Sequence, residues 1–207
     1  MFVELIDRLR CPNDHADTWL VATSSRTAHR YLIDATLGCP ECDAEFEVRD
    51  GDVFFGAPVP SDAMPDSEDE ATRAAALLNV QERGLYVLDG GWASLARSMQ
   101  GIVDADLLLV DPPFVLGSAS AGQGTLRGIG DRWPIAAASL HGIALDRATP
   151  ARTADAVRVL RAAGRIVAPV KAALPAGVRE LARDDRHWVA EKVGDVIALH
   201  RARKQPE

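Results

Sequence analysis

The chain has 207 residues and a net charge of −7, from 23 basic and 30 acidic side chains. A hydrophobic fraction of 47% and a charged fraction of 26% suit a soluble globular protein long enough for a real core. The acidic balance argues against a general nucleic-acid binder, and no apolar run approaches the roughly 18 residues of a membrane span.

The first segment, 2–10, is short and mixed, with Glu4, Asp7 and Arg8 inside it, unlike a secretory signal. A cytoplasmic location follows as the default. The three cysteines of the chain come next, in Cys11-Pro-Asn-Asp-His15 and Cys39-Pro-Glu-Cys42. Zinc takes four soft or borderline ligands at tetrahedral corners, and two turns with short-spaced ligands supply them. The second turn is complete. In the first, His15 or Asp14 must stand in for a second cysteine: Asp14 keeps the two-residue spacing, whereas imidazole is the commoner zinc partner. Cys11, His15, Cys39 and Cys42 are the favoured set, and four protein ligands make such a site structural. Short strands are expected at 19–23, 31–35, 46–49 and 53–55, a small β-rich zinc-ribbon-like domain spanning 1–58. A core that small needs a staple.

Residues 59–70 read as an acidic linker, and Ser67-Glu-Asp-Glu70 is a capping box predicting a helix over 68–83. Alternation then begins. Apolar strands are expected at 85–88, 105–110, 125–130, 142–145 and 165–170, with helices at 93–100, 150–163 and 175–183. Residues 112–124 read as a loop, and 187–193 with 195–201 as a closing antiparallel hairpin turned at Gly194. The prediction is α/β: a mostly parallel, Rossmann-like sheet over 71–204, covered on both faces. Trp133 and Trp188 are expected to be packing residues.

Two resemblances attach to these residues. The stretch from Leu5-Ile-Asp-Arg-Leu-Arg-Cys-Pro12 through Cys39-Pro-Glu-Cys42 to Val48-Arg-Asp-Gly-Asp-Val-Phe-Phe55 resembles the small zinc-binding activator subunit of tRNA, rRNA and release-factor methyltransferases. In that family the zinc subunit covers an apolar surface and adds a strand to the enzyme's sheet. The remainder resembles a class I S-adenosylmethionine-dependent methyltransferase, most strongly from Gly142-Ile-Ala-Leu-Asp146 through Arg158-Val-Leu-Arg-Ala-Ala-Gly-Arg-Ile-Val167. This resemblance implies that the loop after the first strand, Asp89-Gly90-Gly91, approaches the cofactor's amino-acid end. It also implies that Asp111 contacts the ribose and Asp131 the adenine.

The loop departs from the family's glycine-rich form, being shorter and carrying Trp92 where a small residue belongs. Asp111-Pro-Pro-Phe114 has three readings: a ribose contact, a target-nitrogen site, or a plain strand-end turn. Two functions stay open. The shortened loop and Trp92 favour a degenerate, non-catalytic binding or adaptor protein, its zinc domain packed in cis, with another protein or a methyltransferase subunit as partner. Asp111 and Asp131 favour an active methyltransferase of unknown substrate.

Overall fold

The computed structural model describes residues 1–113 and 122–194. Phe114 and the expected strand 195–201 lie outside them. A 3-10 helix, Val3–Arg8, opens the chain. Four antiparallel strands follow: β1 (Val21–Ala28), β2 (Tyr31–Gly38), β3 (Glu45–Arg49) and β4 (Asp52–Phe54). Helix α1 (Glu68–Leu78) leads into β5 (Leu85–Asp89), a 3-10 turn (Gly90–Leu95), α2 (Ala96–Ile102) and β6 (Asp106–Val110). Then come β7 (Gln123–Arg127), β8 (Leu140–Ala144), α3 (Pro150–Val159), β9 (Leu160–Pro169), β10 (Val178–Arg183) and β11 (His187–Lys192).

All these strands form one sheet, ordered β1-β2-β3-β4-β7-β6-β5-β8-β9-β11-β10. Its centre, β7-β6-β5-β8-β9, is parallel and runs 3-2-1-4-5 in its own count. That is the doubly wound order, whose ligand crevice lies at the carboxyl ends where the order reverses, between β5 and β8. β11 is antiparallel to both β9 and β10. At the other side β4 pairs in parallel with β7, Val53 opposite Leu126.

Period-two alternation sorts the core. Tyr86, Leu88, Leu107 and Leu109 face Ala71, Leu78 and Met99 of α1 and α2. Val87, Leu108, Val110 and Ile143 face the other way, toward Ala156 and Val159 of α3 and Met1, Leu5 and Leu9 of the N-terminal segment. Leu32, Leu37, Phe46, Val48 and Val53 belong to this second cluster, so one hydrophobic core runs beneath both parts of the chain. Trp133 and Trp188 are both buried in it. Among the described residues, no helix is long and apolar enough to cross a membrane.

Several expected boundaries shift. The helix from Glu68 stops at Leu78 because Asn79 takes a left-handed C-cap, φ 53°, five residues before Gly84. The helix from Pro150 ends at Val159, and Leu160 already belongs to β9. Residues 90–95 form a 3-10 turn, so the helix there starts three residues later than expected. The expected helix 175–183 is instead strand β10. Gly177, at φ +82°, interrupts the helical start, and hydrogen bonding to β11 overrides the helix propensity of Arg, Glu, Leu and Ala. Among the described residues, the antiparallel pair at this edge is β10 with β11.

Candidate functional site

Two clusters of chemically active side chains stand out. In the first, the β2–β3 turn presents Cys39 and Cys42, and the 11–15 turn presents Cys11 and His15. The four candidate ligand atoms lie within 4.8 Å of one another. Zinc bonds of about 2.3 Å to sulfur and about 2.0–2.1 Å to nitrogen place tetrahedral corners about 3.8 Å apart for two sulfurs and about 3.6 Å for sulfur and nitrogen. Cys11 Sγ and Cys42 Sγ are 3.7 Å apart, and Cys39 Sγ and His15 Nε2 are 3.5 Å apart. The donor set fits the ion.

The surroundings fit as well. His15 Nδ1 lies 2.7 Å from the Ala16 carbonyl, the outer bond that leaves Nε2 free as a ligand and fixes the tautomer. That same bond raises the His15 pKa. Burial pushes the Cys11 thiol up to about 12, while the Ala44 amide and the Asn13 side chain hold Cys42 down at about 6. Asp14 is not in the cluster: its carboxylate is fully exposed, 4.0 Å from Arg132 Nη1.

The second cluster sits at the carboxyl ends of the central strands. Asp89 closes β5 and is fully buried. Its carboxylate accepts from Arg152 Nη2 at 2.7 Å and from the Asp146 and Arg147 amides at 3.1 and 3.3 Å. Burial pushes its pKa up, and the two guanidiniums and two amides pull it back. Asp111, just past β6, accepts from Arg147 Nη2 at 2.8 Å, and from the Gly128 and Val59 amides at 2.7 and 3.2 Å. Asp111 itself has φ +43°.

The segment expected to be a linker takes part. Ser61 Oγ donates to the Asp111 carbonyl at 3.1 Å, and Met64 packs on the α1/α2 side of the core. A Cβ placed on Gly91 would stand 2.7 Å from the Asp62 carbonyl oxygen, so this strap lies directly on the 90–91 turn. Gly91 also donates to Asp146 Oδ2 at 3.3 Å.

The sequence-selected residues thus divide. Asp89 and Asp111 are brought to one place, where Arg147 reaches both: 3.8 Å from Asp89 and 2.8 Å from Asp111. Gly90 and Gly91 border it, held against Asp146. Asp131 is exposed and accepts from Thr149 Oγ1 at 2.7 Å, beside a shallow cavity of about 320 Å³ shared with Arg132, Ala151, Asp155 and Arg158. Trp92 is a core residue on the α1/α2 side, its indole N–H donated to the Leu145 carbonyl and its ring 4.9 Å from His187.

Arg147, Arg152 and Arg132 are the side chains bonded into the two clusters that sequence reasoning missed. One signal was available for Arg152. A cation in the first turn of α3 opposes the helix dipole, which calls for a dedicated acidic partner.

The molecule is therefore an α/β protein with a doubly wound parallel core and a Cys3His cluster at one side. No family model matches the chain, and no curated protein matches it either. Solved structures that resemble it include methyltransferases and a probable spermidine synthase of Corynebacterium glutamicum. One, assigned to an antibiotic biosynthesis pathway of Anabaena variabilis, is 17% identical, with 51% of this chain and 45% of that one covered and a TM-score of 0.39. This chain thus spans less than half of that protein's length. The tRNA (m1A58) methyltransferase TrmI of Aquifex aeolicus is 6% identical, with 65% and 73% covered and a TM-score of 0.41. The 1,6-didemethyltoxoflavin-N1-methyltransferase of Burkholderia thailandensis, solved with S-adenosylhomocysteine, is 11% identical, with 74% and 80% covered and a TM-score of 0.38. Likenesses this remote carry nothing about cofactor or substrate.

Proposed function

We propose that this protein is a non-catalytic binding or adaptor protein built on a methyltransferase-like sheet, with a structural zinc centre in its first 58 residues. One observation carries the reading: the crevice at the β5/β8 reversal is filled by the chain itself. Asp89 is consumed by Arg152, Asp111 by Arg147, and the strap at 59–64 lies on Gly91. An adenosyl cofactor entering there has to displace a buried ion pair and a backbone segment. Each carboxylate already accepts three hydrogen bonds from within the chain. Nothing in the 90–95 turn offers the open glycine loop that methyl-donor binding requires in the resembling family.

Cys11, His15, Cys39 and Cys42 hold the zinc in this reading. Bound zinc supplies only a cross-link between the 11–15 and 39–42 turns, because four protein ligands leave no position for substrate. The parallel pairing of β4 with β7 supports a cis-docked module whose strand extends the larger sheet. Reduced, metal-ligating cysteines suit the cytoplasm.

The deciding experiment is calorimetric titration of the metal-loaded protein with S-adenosylmethionine and S-adenosylhomocysteine. No binding heat is expected for either. A micromolar dissociation constant overturns the adaptor reading in favour of an active methyltransferase, for which Asp111 at the end of β6 is the supporting residue.

A further inference from the structure

The metal cluster is not self-contained. Arg132, on the loop after β7, donates through Nη1 to the Asn13 carbonyl at 2.9 Å and through Nη2 to the His15 carbonyl at 3.4 Å. A planar guanidinium gripping two carbonyls of one turn fixes that turn's path. The turn carries His15, whose Nε2 faces Cys39, and Asn13, whose Nδ2 lies 3.3 Å from Cys42 Sγ.

Cys11 is held from the same side. Arg10 N–H donates to the Pro134 carbonyl at 3.0 Å, Ala136 N–H donates to the Arg8 carbonyl at 2.8 Å, and Leu9 bridges Ile135. Two of the four ligands therefore leave a strip of chain clamped by residues 132–136.

The opposite side of this loop faces the strand ends. The Ile129 and Gly130 carbonyls accept from Arg152 Nη1 at 3.1 and 2.5 Å. The Arg152 guanidinium lies 4.2 Å from the Trp133 ring centroid, and the Trp133 indole donates to the Arg152 carbonyl at 3.1 Å. Arg152 then ends on Asp89. Hydrogen bonds at either end of the 129–133 backbone thus join the ligand turn, through Arg132, to the strand-end cluster, through Arg152.

We infer that Arg132 is a positioning residue of the metal centre, so that metal binding and ordering of the 129–136 segment form one linked equilibrium. The inference rests on the reading that the cluster binds zinc. Outer groups that orient ligands are worth about 10–100-fold in metal affinity. By linkage, metal must then strengthen the Arg132 contact with the 13–15 turn, and through it the ordering of the 129–136 segment. Lysine can reach one of the two carbonyls but cannot span both.

The test uses the full chain as wild type, Arg132→Ala and Arg132→Lys. Zinc affinity is measured by competition with a chromophoric chelator, the cobalt-thiolate spectrum reports the ligand set, and far-UV circular dichroism reports the fold. Arg132→Ala is expected to bind zinc about 10–100-fold more weakly with unchanged dichroism, and Arg132→Lys to recover part of the loss. Equal affinity in wild type and Arg132→Ala overturns the inference and leaves the zinc reading standing. A wild-type chain that takes up no zinc overturns both.

A second measurement needs no variant. Hydrogen exchange of the wild-type protein with and without chelator is expected to show faster exchange at 129–136 once metal is removed. Opening confined to 11–16 and 39–44 overturns the linkage.

Discussion

At the scale of single residues, spacing narrows the metal ligands and local chemistry chooses among them. Cys11, Cys39 and Cys42 could be picked from the sequence as a set. The choice of His15 over Asp14 depends on the Ala16 carbonyl bond and on the grip of Arg132 from 117 residues away. Cys39→Ser is expected to abolish stoichiometric zinc uptake, since a hydroxyl is a poor replacement for a buried thiolate. Elemental analysis of the purified variant checks this, and Asp14→Ala, made alongside, should retain its full metal content. The strand-end cluster offers a second residue-scale test. Gly91→Ala places a Cβ 2.7 Å from the Asp62 carbonyl, so the strap must move. Overpacking of this kind costs about 1–3 kcal/mol, read as a lower denaturation midpoint in urea.

Among the elements, legibility follows burial. The runs Leu85–Asp89 and Asp106–Val110 are buried on both faces, so their apolar composition alone marked them as central parallel strands. Two helix starts were legible for a local reason: Ser67 and Thr149 cap α1 and α3 by accepting from the Glu70 and Arg152 amides. β10 was not legible. Its side chains are almost all exposed, its composition favours helix, and only pairing with β11 makes it a strand. The Arg147–Asp111 and Val59–Asp111 bonds were equally hidden, because they join residues 36 and 52 positions apart. The β10–β11 turn supplies an element-scale prediction. The His187 and Arg186 amides, then Arg73, hold the Asp184 carboxyl far below its usual value of 3.8. A depressed carboxyl pKa contributes stability that is present above the unfolded value and lost as pH falls through the folded one. Asp184→Asn should therefore destabilise the protein at neutral pH and flatten the fall in stability below about pH 4. Thermal melts of both proteins between about pH 2 and pH 7 check it.

At the scale of the whole molecule, the decisive feature is that the sheet does not stop where the composition changes. β4 joins β7, and Val53, Leu126 and Ile135 share one core cluster with Leu5 and Leu9. The junction also contains a largely buried ion pair, Arg127 Nε to Asp52 Oδ2 at 2.9 Å, with side chains 9% and 13% exposed. Arg127 donates as well to the Pro112 carbonyl, next to Asp111, so the pair ties the seam to the strand-end cluster. A core and a sheet shared in this way bind the fate of each part to the other. Unfolding should be a single cooperative transition, with calorimetric and van't Hoff enthalpies equal. An early, separate melt of residues 1–58 is the outcome that contradicts this. Asp52→Ala probes the same seam. It removes the carboxylate that accepts from Arg127 Nε in a largely buried place, at an expected cost of about 2–3 kcal/mol. For a chain of this size that lowers the melting midpoint by about 4–12 °C. A seam that holds the molecule together predicts one transition displaced as a whole. A seam that is mere contact predicts that the melt splits in two, the first 58 residues loosening while the parallel core melts at its original temperature.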